Sequence, residues 1–295
     1  MISFLLHLLV LTNIYVILGV SYNLLIGYAG LFSIAHAAFF GVGAYVSMVV
    51  ALSLGWPYLL GLAAAVVVAA VVSGVLAFPA LRVSGDYLVI ASLGFQVIIF
   101  NVFMNWESVT GGPAGVPGIP RPGVLGWTVE SPLALGVVSS VMAVAAYLFV
   151  RRVVSSPFGR VLRAIREDEV VTQALGKNVT GVKVVVFMVS GGVAATAGSL
   201  FAHYTTYINP YFFTLEESIL ILSVVIVGGA GNLTGSVVGA VVLTLLPQAL
   251  RLVELPEALA ANLRQIIYAA LLAAFMFFRP QGILAERTLT LTGKD

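Results

Sequence analysis

Apolar residues run along this chain in long unbroken stretches, and polar residues mark the gaps between them. Stretches at about 3–25, 31–54, 58–80, 87–105, 133–150, 183–203, 214–229, 234–250 and 264–279 are each predicted as a helix. None alternates with the period of two expected of a β-barrel strand. Most approach the roughly 20 residues a helix needs to cross a hydrocarbon layer about 30 Å thick. The breaks carry Gly, Pro or charge: "GYAG" from 27, "GWP" from 55, "LRVSGD" from 81, "GGAGN" from 228 and "ELPEAL" from 254. The pattern predicts an all-α, polytopic membrane protein of about eight to ten spans. Residues 1–295 would form one transmembrane domain.

Composition sharpens this reading. Hydrophobic residues make up 60% of the chain and charged ones 9%, with a mean hydropathy of +1.09; a soluble domain carries roughly 25% charge. A net charge of +2 gives no reason to expect a nucleic-acid partner. The absence of cysteine excludes disulfides, thiolate metal sites and a cysteine nucleophile. His7, His36 and His203 lack metal-ligand spacing, so neither a metal nor another cofactor is expected. The amino end lacks the basic region of a signal peptide and reads as a retained first span.

Two loops stand apart. The first, 105–132, is rich in Gly and Pro and reads as a non-helical cap outside the membrane. The second, 151–182, gathers Arg151, Arg152, Arg160, Arg163, Arg166 and Lys177, with Lys183 just beyond, which assigns it to the cytoplasm. Nine crossings would then leave Met1 outside and the basic tail inside, unless a re-entrant stretch near 27–40 alters the parity. Small residues paired four apart, Gly235/Gly239, Ala37/Gly41 and Gly191/Ala195, suit close helix packing. "GYAG" and "GGAG" recur on the same predicted side, which a duplication would explain.

Within the cytoplasmic loop, Ser156-Pro157 reads as a helix start and Gly176 as its stop. Between them Phe158, Val161, Leu162 and Ile165 share one face, with Arg160, Arg163 and Glu167 on another. The charge order is unfavourable for one helix: the arginines come first, and Glu167, Asp168 and Glu169 follow, against the macrodipole. Such a segment is either a solvated loop helix that fixes orientation or a docking surface.

The stretch "SPFGRVLRAIREDEVVTQALGKNV" resembles the coupling loop of bacterial ABC-importer permeases, in the form found in branched-chain amino-acid permeases of the LivM type. "GYAGLFSIAHAAFFGVGAY", "LRVSGDYLVIASLGF", "NWESVTGGPAGVPGI", "FAHYTTYINPYFFTLEESILILSVVIVGGAGNLTGSVVGA" and "LRQIIYAALLAAFMFFRPQGIL" resemble that family's blocks in order. In "GLFSIAH" the sequence departs from the family at Phe32 and Ala35. The resemblance implies an ABC-importer permease fold in the plasma (inner) membrane. It also implies two ATP-binding subunits, a second, homologous permease and a periplasmic or lipid-anchored substrate-binding protein. The lipid bilayer is the remaining partner. No phosphate-binding loop occurs here, so nucleotide energy would arrive from another chain. Arg160, Arg163, Arg166, Glu167, Asp168, Glu169 and Gly176 are the candidate coupling residues.

Ser33, His36, Gln96, Asn101, Asn105 and His203 are polar at predicted membrane depth and could line a solute path or bond neighbouring helices. Asp86, Glu216 and Glu217 are predicted at span ends, as interfacial or loop-tethering charges. The implied function is import of leucine, isoleucine and valine, with urea, short amides or another small polar solute as the alternative. A secondary transporter would need acids within spans. A membrane enzyme would need a catalytic constellation, and no such elbow, metal set or acid pair is evident. The chain is therefore expected to be a transport subunit and not an enzyme.

Overall fold

The computed structural model describes residues 2–80, 86–124, 127–128, 131–251, 266–267, 270, 273 and 282–284. The predicted run at 264–279 lies almost wholly outside them. The described helices are α1 (Ile2–Asn23), continued by a π-helical turn over Leu24–Tyr28, α2 (His36–Ser53), α3 (Tyr58–Ala80) and α4 (Asp86–Asn105). They continue with the single turn α5 (Glu107–Thr110), α6 (Pro132–Ser155), α7 (Pro157–Glu167), α8 (Glu169–Ala174) and α9 (Val179–Thr205). Last come α10 (Leu215–Gly228) and α11 (Leu233–Arg251). Among the described residues, six helices are long and apolar enough to cross a membrane: Ser3–Tyr28, His36–Ser53, Tyr58–Phe78, Tyr87–Asn105, Pro132–Ser155 and Val179–Thr205. With the 19-residue α11 these account for most of the predicted spans.

α9 runs through the middle and packs against α1, α2 and α3. Its small residues make this approach close. A Cβ on Gly198 would lie 2.0 Å from the Phe40 carbonyl oxygen, and one on Gly43 would lie 2.4 Å from the Ala195 Cα. Two backbones that near each other leave no room for any side chain. Gly235 and Gly239 likewise seat α11 against Gly228 and Val224 of α10, as their four-residue spacing predicts.

Two predicted spans begin differently from the expectation. Residues 30–35 are non-helical, and α2 starts only at His36. α10 has 14 residues, about 21 Å of helix, which is short of the roughly 30 Å of a hydrocarbon core. Both begin inside the molecule at one level, because the Ala37 N–H donates to Ser218 Oγ at 3.0 Å. From Ser218 the ten residues to Gly228 carry α10 about 15 Å toward the Arg-rich end. α2 runs the other way. The segment before α2 turns back along the end of α1, with the Ser33 carbonyl bonded to Tyr22 and His36 to Ser21.

The Gly/Pro segment forms the opposite end. Val116–Pro117 pairs antiparallel with Tyr207–Ile208, and a second short ladder joins Gly123–Val124 to Trp127–Thr128. His203 pins this cap through a 2.7 Å bond between Nδ1 and the Pro120 carbonyl.

Candidate functional site

Where α2 and α10 begin, one-sided backbone breaks would leave amides bare in an apolar interior, at a cost of several kcal/mol each. Side chains from three helices, α1, α4 and α10, supply the missing partners. The Tyr22 hydroxyl donates to the Ser33 carbonyl at 2.6 Å, and the Ile34 N–H donates to Ser92 Oγ at 2.9 Å. The Ala38 N–H donates to Gln96 Oε1 at 2.8 Å, while Gln96 Nε2 donates to the Phe213 carbonyl at 2.8 Å. Gln96 thus ties the start of α2 to the segment just before α10. His36 Nε2 lies 2.8 Å from Ser21 Oγ, its ring rests against Tyr22 and Phe39, and its Nδ1 has no hydrogen-bond partner among the described residues.

Ser33, His36 and Gln96 are therefore brought together, as buried members of one junction. The other three path candidates are not part of it. Asn101 and Asn105 lie exposed on α4, donating to the carbonyls of Val97 and Asn101 at 2.8 Å each. His203 sits at the Gly/Pro end against Tyr58, with ring centroids 4.9 Å apart.

Glu216 and Glu217 correct the expectation of span-end charges. They occupy the first turn of α10, beside Ser218 and so at the depth of Ala37 and Gln96. The Tyr15 hydroxyl of α1 donates to Glu217, while Glu216 is exposed. Acidic residues suit the positive end of a helix. An exposed carboxylate at this depth must face water or another protein, not lipid tails. The sequence signal was available: "TLEES" opens an apolar run too short to span.

Asn23 also escaped sequence reading. Its Nδ2 donates to Ser236 Oγ at 2.6 Å and to the Asn232 carbonyl at 2.9 Å, and its Oδ1 accepts from the Gly231 N–H at 2.8 Å. It holds the α10–α11 turn against α1. "GYAG" and "GGAG" meet at that turn, since a Cβ on Gly27 would lie 2.3 Å from the Gly231 nitrogen. The backbone of 283–284 closes the same corner, with Ile283 and Leu284 N–H groups donating to Val227 and Gly228.

The predicted 157–176 helix is broken in two, and the break explains its charge order. Ser156 caps α7 as expected, its Oγ accepting from the Gly159 N–H at 3.4 Å. Asp168 then leaves the helical conformation (φ −154°, ψ 108°) and caps α8, with Oδ1 accepting from the Val171 N–H at 2.9 Å. Asp168 and Glu169 are thus at a helix start, and Arg166 is at a helix end, where the macrodipole favours each. Gly176, at φ +78°, ends α8 in the left-handed conformation glycine favours.

The coupling candidates also divide. Arg163 donates from Nη2 to the Val154 carbonyl at 2.9 Å and lies over the Tyr28 ring. Arg166 donates to the Gly27 carbonyl and pairs with Glu167 at 3.1 Å. Gly30 (φ +68°) admits it, for a Cβ there would lie 2.9 Å from Arg166 Cγ. Glu169 pairs with Lys183 at 2.6 Å. Arg163 and Arg166 are braces from α7 to the end of α1. The outward face is instead Arg160, Glu167 and Asp168, together with Val170 and Leu175, each 75% exposed, and Val171. Those three apolar side chains were not among the predicted coupling residues, which were charged or glycine.

A family profile described as "Branched-chain amino acid transport system / permease component" matches residues 4–276. The chain belongs to that permease family. It is 31% identical over 297 residues to the high-affinity branched-chain amino acid transport system permease protein LivM of Salmonella typhimurium, covering 93% of this chain and 68% of the relative. It is 24% identical to LivH of Escherichia coli, over 94% and 92% of the two chains. The ribose import permease RbsC of Haemophilus influenzae shares 32% identity over 135 residues, 44% of this chain and 41% of that one. No solved structure matches. As a member of this permease family, the chain is a polytopic helical transport protein of a membrane, and both halves of the site fall inside the matched region.

Proposed function

We propose that this chain is a permease subunit of an ABC importer that moves leucine, isoleucine and valine across the plasma membrane. Two ATP-binding subunits would supply the energy, a homologous second permease would complete the path, and an external binding protein would deliver the solute. The observation that carries this reading is the α7–α8 element: apolar Val170, Val171 and Leu175 stand exposed among charges, on a segment braced to α1. Exposed apolar side chains beside a membrane mark a docking surface. The cluster of Arg and Lys around it supports a cytoplasmic position for this face.

Force applied there would have a physical route inward. Arg166 holds the Gly27 carbonyl, and α1 carries Ser21, Tyr22 and Asn23. The first two hold the start of α2, and the third holds the α10–α11 turn. A shift of α7 would therefore reach the start of α2 and the far end of α10, and ATP must favour one arrangement of these helices over the other for transport to be driven. Glu216 and the α4 face bearing Asn101 and Asn105 would look onto the path or the second permease.

The test is uptake of labelled leucine by the reconstituted complex, competed by isoleucine, valine, urea and short amides. Competition by the two branched amino acids alone supports the reading. The partial likeness to the ribose permease supports one rival, a different small polar solute on the same scaffold. Leucine uptake that fails while urea, an amide or a sugar is carried would select it.

A further inference from the structure

At the Gly/Pro end, a cavity of about 350 Å³ opens between the ends of α1, α6 and α9. Its lining is mixed in character. Arg121 from the cap and His7, one turn into α1, are exposed, and Tyr204 from the last turn of α9 is half-buried. Val10 and Leu135 are buried and Leu6 is half-buried. His7 Nδ1 and the Tyr204 hydroxyl are 2.5 Å apart, with their rings stacked 5.7 Å centre to centre. Arg121 is close enough for its charge to act on Tyr204.

We propose that this cavity seats the headgroup of an anionic phospholipid from the outer leaflet. A guanidinium matches the paired oxygens of a phosphate, and tyrosine favours the membrane–water boundary. The cavity is too small for a whole lipid, and its surroundings say where the rest would lie. Leu5, Leu9, Leu133 and Val137 are exposed beside it on α1 and α6. In a bilayer these side chains meet acyl chains, so an amphiphile can rest its head in the cavity and its tails along the two helices. Gly136 brings the helices together beneath, since a Cβ there would touch Leu6 and Leu9 at 3.4 Å. A small water-soluble anion would use only Arg121, Tyr204 and His7 and leave the apolar lining of Leu6, Val10 and Leu135 without a partner.

The full-length chain, purified in neutral detergent, is titrated with phosphatidylglycerol or phosphatidylcholine, and retained lipid is counted by native mass spectrometry. The expected result is preferential retention of phosphatidylglycerol, weakened about tenfold by Arg121→Gln and less by Tyr204→Phe, with Lys177→Gln unchanged. Tyr204→Phe keeps the ring and its packing volume, so it reads the site even if the Arg121 variant folds poorly. Equal retention by wild type and both variants overturns the proposal. So does displacement of the lipid by millimolar inorganic phosphate or by leucine, which would make the cavity a small-anion or solute site.

Discussion

The junction at the starts of α2 and α10 and the α7–α8 element solve opposite problems. The junction lies in an apolar interior, and nearly every polar group there is spoken for by a partner from another helix. The α7–α8 element, proposed above as a docking surface, leaves Val170, Val171 and Leu175 exposed. A closed polar network gives a membrane protein one defined arrangement; an uncovered apolar patch gives it a place for a partner. Substitutions in the first should therefore cost folding as well as transport. Substitutions in the second should cost transport alone.

The largest effect is expected from Gln96→Leu, which removes the side-chain donor to the Phe213 carbonyl and leaves the Ala38 N–H with the Ala35 carbonyl as its remaining acceptor. Each buried group left bare costs about 1–3 kcal/mol, so thermal unfolding should drop and uptake should be lost. A variant with unchanged unfolding would show that Gln96 is not the tie between the two helices. Gly198→Ala comes next, because its Cβ would meet the Phe40 carbonyl at 2.0 Å and neither backbone can yield freely. Overpacking of this kind costs about 1–3 kcal/mol, measurable as lowered thermal stability of the purified chain.

Leu175→Asp probes the other side of the comparison. It should lower ATPase stimulation and uptake several-fold while unfolding stays within about 0.5 kcal/mol, the range of exposed surface changes. A loss of stability equal to the loss of transport would mean that the patch is part of the fold. Arg163→Ala should do the reverse of Leu175→Asp, destabilising the α7 brace more than it alters docking, and parallel unfolding and ATPase assays on the two variants separate them. The smallest effect is expected at Asn101→Ala. Its amide is satisfied within its own helix, so stability should hold within about 0.5 kcal/mol, and a change in solute preference would mark α4 as path-lining.

The sequence made the long helices legible because hydropathy changes sharply at their ends: α3 and α4 fall within a residue or two of the expected 58–80 and 87–105. It left the break at 30–35 as the open alternative of a re-entrant stretch near 27–40, because Leu, Phe, Ile and Ala keep the run apolar and the compensating partners, Ser92 and Gln96, lie 58 positions away. It hid the depth of Glu216 and Glu217 for the same reason, since an acid at the edge of an apolar run looks like a boundary. The coupling loop was legible as an amphipathic unit, but the turn at Asp168 was not. Its oddly ordered charges were the sign of two helix starts rather than one. Ser33, His36 and Gln96 were found as polar residues in apolar runs; Asn23 and Tyr15, equally polar, passed as the edge and middle of a first span.

Gly27 and Gly231 touch with no side chain between them, and Asn23 rivets the same spot. Segments some two hundred positions apart along the polypeptide therefore travel together as one block. A short covalent staple across that seam should leave solute movement intact, whereas one locking α4 to the start of α10 should freeze it.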